Sequence, residues 1–436
     1  MINWRWYLFW FKDCISGGQI HKAYKEFISN ELKEIDTTQK LNNLLRFAKN
    51  NTNFYTNVKE CKIHEFPVIN KNIINENYDD FISKPYKDKK LHKMSTSGST
   101  GTPFTILQNV EKRKRVIAEL LYYNMKCGYK FGERQVYFRV WTDKNRKSSF
   151  KSFLQNLIPQ DISNLSEENI EIILEKLKKD KHISNILSYA STLEKLSSFA
   201  YENNYKPEDF SLKSIISSSE ILKDETRQKL KDCFDCNIVS RYSNQENGVI
   251  AQECTKFKEM HINDVNYYIE FLKMDSDETA EEGEISRVVI TDLYNYAMPM
   301  IRYDTGDLAV FSSTPKCEER GRVITEIYGR KVDSIFDTKG NMLSPHIITN
   351  NMWGIKNVKQ FKFQQIGMTE YKIILNKIAN TNINEEEIIN KFRKLLGENS
   401  KITIEYVEEI PILSSGKTKY IENLYTQFKD NSKIKL

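Results

Sequence analysis

Ser95-Thr96-Ser97-Gly98-Ser99-Thr100-Gly101-Thr102-Pro103-Phe104 is a run of small hydroxyl residues broken by two glycines. Glycine lets successive backbone N–H groups close around a polyanion, and the hydroxyls donate further hydrogen bonds. That is the chemistry of a phosphate cradle. The G-x-x-x-x-G-K-[ST] spacing is absent, with neither the glycine separation nor the lysine, so a Walker-type loop is a poor reading. Taken alone, the composition favours an ordinary Ser/Thr/Gly surface loop over a cradle.

Working outward, Thr105-Ile106-Leu107 reads as a strand and Asn109 to Lys126 as a long helix with many charges on one face. Gln135 to Trp141 alternates like a buried strand, and Thr142 to Asp161, rich in Lys and Ser, reads as a variable loop. Leu165 to Lys179 is an amphipathic helix with Asn164 or Ser166 to cap it. Ile183 to Ala190 followed by a helix, Leu212 to Glu220 followed by Lys223 to Cys233, and Asn237 to Tyr242 alternate strand with helix. That alternation argues for a parallel sheet, with ligands at the C-terminal ends of its strands, where Ser218-Ser219-Glu220 and Tyr242 to Glu246 fall.

Beyond Arg330 the texture changes to a hairpin around Thr338-Lys339-Gly340-Asn341, a short helix, strands at 360–365 and 371–375, a helix over 385–396 and a strand at 402–407. The fold class expected is therefore α/β, a large N-terminal domain over 1–329 with parallel sheets and helices, followed by a small α+β lid over 330–436. With 436 residues the chain exceeds one ordinary hydrophobic core, which agrees with two domains.

Charge and cysteine content narrow the function classes. Sixty-five Lys and Arg face 59 Asp and Glu, a net +6 that is scattered rather than blocked, so the surface reads as solvated and not as a nucleic-acid face. Seven cysteines, an odd number in a long chain without a secretory signal, point to a reducing cytoplasm. Trp4-Arg5-Trp6-Tyr7-Leu8-Phe9-Trp10-Phe11 is too short and too interrupted to span a bilayer. Two readings stay open for it: a helix packing its rings on its own domain, or a peripheral anchor on the inner membrane surface.

Four further motifs follow the first in order: Tyr242-Ser243-Asn244-Gln245-Glu246, Ile301-Arg302-Tyr303-Asp304-Thr305-Gly306-Asp307-Leu308, Gly329-Arg330-Lys331-Val332-Asp333, and Ser414-Ser415-Gly416-Lys417. Together the five resemble the adenylate-forming acyl-CoA synthetases, most closely the phenylacetate–CoA ligase branch with its CapK-like capsular-polysaccharide members. The resemblance runs from about Pro67 to Lys419. It implies ATP-dependent activation of a carboxylic acid as acyl-AMP, then acyl transfer to CoA. The alternative acceptor is a sugar amine or hydroxyl in surface-polysaccharide assembly, and a non-catalytic nucleotide-binding scaffold is the third reading. Dimers are common in the branch.

Residue by residue, the resemblance assigns Ser97, Gly98, Ser99, Thr100, Gly101 and Thr102 to the ATP phosphates, although many relatives carry lysine where this chain has Thr102. Glu246 aligns with the carboxylate that holds Mg²⁺. Ser218, Ser219, Glu220 and Tyr242 resemble the adenine-facing segment, and Asp307, Arg302 and Arg330 the ribose and phosphate contacts. Thr305-Gly306-Asp307 is expected to present its carboxylate on a tight turn. Lys417 matches the mobile catalytic lysine of the small domain. The hinge falls at Lys331, Val332 and Asp333, with Val332 in place of the usual Asp or Lys. Cys254-x6-His261 with Cys317 resembles a structural zinc site, in which Glu319 takes the place of a second cysteine; reduced, buried cysteines are the alternative.

Overall fold

The computed structural model describes residues 3–31, 35–95, 104–141, 148–318, 321–330, 334–343, 345–353, 355–411 and 419–425. The chain forms two compact units, one of residues 1–305 with 310–326, the other of 306–309 with 327–436.

The first unit begins with three helices, α1 (Trp4–Ile15), α2 (Gln19–Asn30) and α3 (Thr38–Asn51), then the short α4 (Lys71–Glu76) and α5 (Tyr78–Phe81). A two-stranded ribbon, β1 (His92–Ser95) and β2 (Thr105–Gln108), leads into α6 (Val110–Lys126). Next come β3 (Arg134–Arg139), α7 (Ser149–Gln155), β4 (Leu157–Asp161), α8 (Glu167–Lys179), β5 (Ile183–Tyr189), α9 (Ala190–Glu202), β6 (Ser214–Ser218), α10 (Asp224–Phe234) and β7 (Asn237–Asn244). Strands β8 (Gly248–Glu253), β9 (Met260–Ile262), β10 (Tyr267–Leu272), β11 (Ser286–Asp292), β12 (Tyr303–Ser312) and β13 (Val323–Arg330) follow.

Eleven of these strands make one sheet in the order β10-β11-β12-β13-β9-β8-β7-β6-β5-β3-β4. Pairing is parallel from β4 through β3, β5 and β6 to β7, where helices intervene between strands. From β7 to β8 and β8 to β9 it is antiparallel, and β10 pairs antiparallel with β11. The stretch whose strand–helix alternation argued for parallel pairing, β5 to β7, is parallel, and the strands beyond it are not. After β7 a three-residue turn at 245–247 replaces a crossover helix, and a chain that turns back so tightly can pair only antiparallel.

Apolar periodicity places the layers. Ile170, Ile173, Leu174 and Leu177 of α8 join Leu193 and Leu196 of α9 over Ile186 and Ile215, one buried cluster on one face of the parallel half. Ser166 caps α8 by accepting the N–H of Asn169. The segment read as a variable loop contains α7 and the edge strand β4; only 142–147 of it lie outside the described residues. Its Ser and Lys content misleads because an edge strand and a short surface helix bury little.

The second unit comprises the β14 (Ile335–Phe336) and β15 (Met342–Leu343) hairpin, α11 (Pro345–Trp353), β16 (Val358–Gln365), β17 (Glu370–Lys377), α12 (Glu385–Leu396), β18 (Lys401–Tyr406) and β19 (Ile421–Asn423). A four-stranded sheet, β18-β17-β16-β19, buries Phe361, Phe363, Ile373 and Leu375 against Ile388, Phe392 and Leu396 of α12. Among the described residues no helix is long and apolar enough to cross a membrane.

Candidate functional site

The phosphate-loop residues 97–102 lie outside the described residues, but both of their flanks are placed. Ser95 at the end of β1 pairs with Thr105 at the start of β2, their hydroxyls 2.9 Å apart, so the ribbon closes the base of the loop. Phe104, the first described residue after it, is buried, with its ring stacked 6.1 Å from Tyr303.

Glu246 sits beside that stack. It is buried, and its Oε1 accepts the Tyr303 hydroxyl at 3.1 Å and lies 3.1 Å from Nζ of Lys71, the first residue of α4. Lys71 Nζ also lies 5.5 Å over the Phe104 ring. Carboxylate, ammonium and the foot of the loop therefore converge within one unit of the chain. Such a group can bind an anion through the ammonium or a hard cation through the carboxylate oxygens.

The turn that presents Glu246 is fixed from behind. Gln108 Nε2 donates to the Glu246 carbonyl at 2.8 Å, Tyr267 Oη to the Asn247 carbonyl at 2.6 Å, and the Val249 N–H to Glu119 Oε1 at 2.9 Å. Gly248 holds φ +123° with its Cα against that carboxylate; an added Cβ would meet Glu119 Oε1 at 2.0 Å. Only glycine fits both requirements.

Behind the turn, the charged face of α6 is turned inward. Lys112, Arg115 and Glu119 form a buried stripe. Lys112 pairs with Asp292 at 2.7 Å and donates to Tyr267 at 3.0 Å; Arg115 binds Asn266 and Glu26, both at 2.7 Å. Glu119 accepts from Asn263 and Asn266 as well as Val249, and its Oε2 lies 3.2 Å from the Tyr267 hydroxyl. Burial raises its pKa, only partly offset by the Lys112 charge and those donors.

The other expected nucleotide contacts are distributed as follows. Ser218 ends β6, Ser219 holds φ +70°, and Glu220 accepts the N–H of Ser191 at 2.8 Å, pinning the start of α9. Tyr242 lies on β7 with its hydroxyl 3.5 Å from Thr305 Oγ1. Asp307 does not stand on a tight turn: it lies within β12, next to Gly306 at φ +78°, because a positive-φ glycine can deform a strand without reversing it. Arg302 is committed elsewhere. Its guanidinium binds Glu270 at 3.2 Å and the carbonyls of Phe66 at 3.1 Å and Asp277 at 3.4 Å, and its backbone, at φ +54°, pairs with Ile69. Arg330 closes β13 and only its backbone is described; Lys331, Val332, Asp333, Glu319 and Lys417 lie outside the described residues.

Cys254, His261 and Cys317 come together from the end of β8, β9 and the connection after β12, with ligand atoms all within 4.8 Å of one another. Cys317 Sγ is 3.0 Å from His261 Nε2. Two thiols and an imidazole at that spacing fit tetrahedral Zn²⁺. Cys233 and Cys236, by contrast, are buried apolar packing, and burial pushes the Cys236 thiol up to about 12.

Missing from the sequence reading were Gln108, Tyr303 and the role of Lys71. Tyr303 was signalled only by its place inside the Ile301–Leu308 motif. Lys71 lies 24 residues before the loop begins at Ser95, and no spacing ties it to an acid far along the chain.

The CapK C-terminal domain family matches residues 335–424. Protein CapK of Staphylococcus aureus is 24% identical over 417 residues, covering 90% of both chains. Phenylacetate-coenzyme A ligase of Pseudomonas putida is 27% identical over 157 residues, 35% of each chain. Among solved structures, 2-hydroxyisobutyryl-CoA ligase in the postadenylation state, in complex with an acyl-AMP (R3-HIB-AMP), superimposes with a TM-score of 0.68 at 14% identity over 90% of each chain. The chain is a homologue of CapK and of phenylacetate–coenzyme A ligase, with a CapK C-terminal domain over 335–424 and the mixed α/β fold of the adenylate-forming enzymes.

Proposed function

We propose that this protein is an AMP-forming ligase that activates a carboxylic acid with ATP and passes the acyl group to CoA. The observation that carries the reading is Glu246 with Lys71 at the foot of the hydroxyl-rich loop. In the first step a substrate carboxylate oxygen attacks the α-phosphorus, the bond to the β-phosphate oxygen breaks, and pyrophosphate leaves with its electron pair. In the second, the acceptor's nucleophile attacks the acyl carbonyl and AMP departs.

Residues 97–102 and Lys71 hold the triphosphate. Thr102 leaves that loop without the lysine many relatives use, and Lys71 supplies a fixed cation in its stead. Glu246, a buried hard-oxygen ligand, fits Mg²⁺, which would spread the triphosphate charge. Ser218, Ser219, Glu220 and Tyr242 face adenine, and Asp307 and Arg330 take the ribose. Arg302 leaves that set, because its buried guanidinium already binds Glu270 and the carbonyls of Phe66 and Asp277. Lys417 delivers positive charge to the α-phosphate from the 330–436 domain, which turns at 331–333 between the half-reactions. Cys254, His261 and Cys317, with Glu319 as the fourth ligand, would hold Zn²⁺, which would tie β8, β9 and the chain after β12 together.

A second acceptor, a sugar amine or hydroxyl, is favoured by the CapK likeness across nearly the whole chain. Carboxylate-dependent exchange of labelled pyrophosphate into ATP tests the first step without any acceptor. Lys417→Ala should lower it by roughly 10²–10³, as loss of one transition-state donor does; unchanged exchange would remove Lys417 from the mechanism. Addition of CoA or an amino sugar to the loaded enzyme then separates the acceptors. Purified protein should carry about one equivalent of zinc, and Cys317→Ala should lose it; full zinc in that variant would reject the assigned ligands.

A further inference from the structure

Helix α1 is fixed on one side only. Trp6, Phe9 and Trp10 turn inward: Trp10 packs on Tyr24 at 5.3 Å between ring centres, Phe9 on Phe131 at 4.9 Å, and Asp13 is buried, accepting the N–H groups of Ile20 and His21. The 3.6-residue period then turns a second set outward. Trp4, Tyr7, Leu8, Phe11 and Ile15 are 45–72% exposed. The neighbouring helix α7 extends the surface with Phe150 and Phe153, 69% and 59% exposed. Its place is fixed by the Trp4–Phe153 ring contact at 6.5 Å and by Arg5, which donates to the Phe153 carbonyl at 3.1 Å.

A contiguous apolar face of this kind is uncommon on a protein that meets only water. Its charges indicate the partner. Arg5, Lys12 and Lys151 are interleaved with the rings, the single acid of α1 is Asp13, which points inward, and α7 has none. A second copy docked through the same face would set these cations against their own images across a two-fold axis. A bilayer surface with anionic headgroups takes both features at once, aromatic rings at the headgroup boundary and cations beside the phosphates.

We infer that the outward faces of α1 and α7 dock the protein on an anionic membrane surface without crossing it. The inference stands independently of which acid and acceptor the enzyme uses.

The test is cosedimentation of the full chain with vesicles of phosphatidylcholine alone and of phosphatidylcholine with one-quarter phosphatidylglycerol. Binding is expected at least roughly tenfold stronger to the anionic vesicles and weakened by salt. Phe11→Ser with Ile15→Ser, both exposed and away from the packed side, should weaken it at least about tenfold while the thermal midpoint stays put. Lys12→Glu with Lys151→Glu should abolish the lipid preference and leave the residual binding to neutral vesicles. No sedimentation with either vesicle, or undiminished sedimentation of both double variants, would overturn the inference. So would a dimer in light scattering that Phe11→Ser with Ile15→Ser dissolves, since the face would then belong to a second copy.

Discussion

Lys71 and Glu246 are held 3.1 Å apart, the lysine half-buried and the acid almost fully so. A buried carboxylate beside a single ammonium is a pair that a ligand can exchange into: a metal ion takes the carboxylate and a phosphate takes the ammonium. We therefore expect Lys71→Ala to lower pyrophosphate exchange by roughly 10²-fold, at the lower end of the range for one removed donor, with ATP binding weakened in parallel. A variant that exchanges at the wild-type rate would return Lys71 to a merely structural ion pair. Glu246 was marked in the sequence by the family resemblance of Tyr242-Ser243-Asn244-Gln245-Glu246, a motif expected at the C-terminal end of a strand. Lys71 was not, since nothing in Phe66-Pro67-Val68-Ile69-Asn70-Lys71 encodes which distant acid it meets. Arg302 shows the opposite failure: an arginine in a nucleotide-site motif looks the same whether it faces a ligand or, as here, Glu270 and two carbonyls.

At the scale of the element, α6 carries the largest surprise. Charges at Lys112, Arg115 and Glu119 fall at helical spacing, the same spacing a solvated stripe would have, so periodicity alone could not show that this stripe faces inward. What turns it inward is its partners: Asp292 and Tyr267 for Lys112, Asn263 and Asn266 for Glu119, all on or beside β9, β10 and β11, and Glu26 of α2 with Asn266 for Arg115. Removing one member should cost more than the pair contributes. Lys112→Met leaves Asp292 and Glu119 buried without their cation and should lower stability by roughly 3–5 kcal/mol in urea unfolding, whereas Lys112→Met with Asp292→Leu should recover much of that loss. A single variant within about 0.5 kcal/mol of wild type would mean that water reaches the stripe. From α8 to β7 the parallel half was, by contrast, readable, because β5, β6, α8, α9 and α10 each show a clean period bounded by polar turns, whereas α7 and the edge strand β4 were not.

Across the whole molecule, each unit closes a core of its own, α8 to α10 on the large sheet in one and α12 on β16 to β18 in the other. Two separate cores predict two unfolding transitions in calorimetry, and one carboxyl should tell them apart. Glu422 on β19 accepts from Lys362 at 2.8 Å, Gln364 at 2.8 Å and Lys419 at 3.2 Å, all within the second unit. Burial alone would raise its pKa, but those donors outweigh it and hold the carboxyl at about 2, below the ordinary 4.5. A carboxyl whose pKa is depressed by folding stabilises the native state above its unfolded value, and that stabilisation fades as pH falls through the folded one. Glu422→Gln should therefore lower the midpoint of the second unit's transition at neutral pH, by about 4–8 °C if the half-exposed network is worth ~1 kcal/mol. The gap between the two proteins should be full above pH 4.5 and close toward pH 2. The transition of the first unit, which contains none of these partners, should not move; a shift of both transitions together would show that the two cores melt as one.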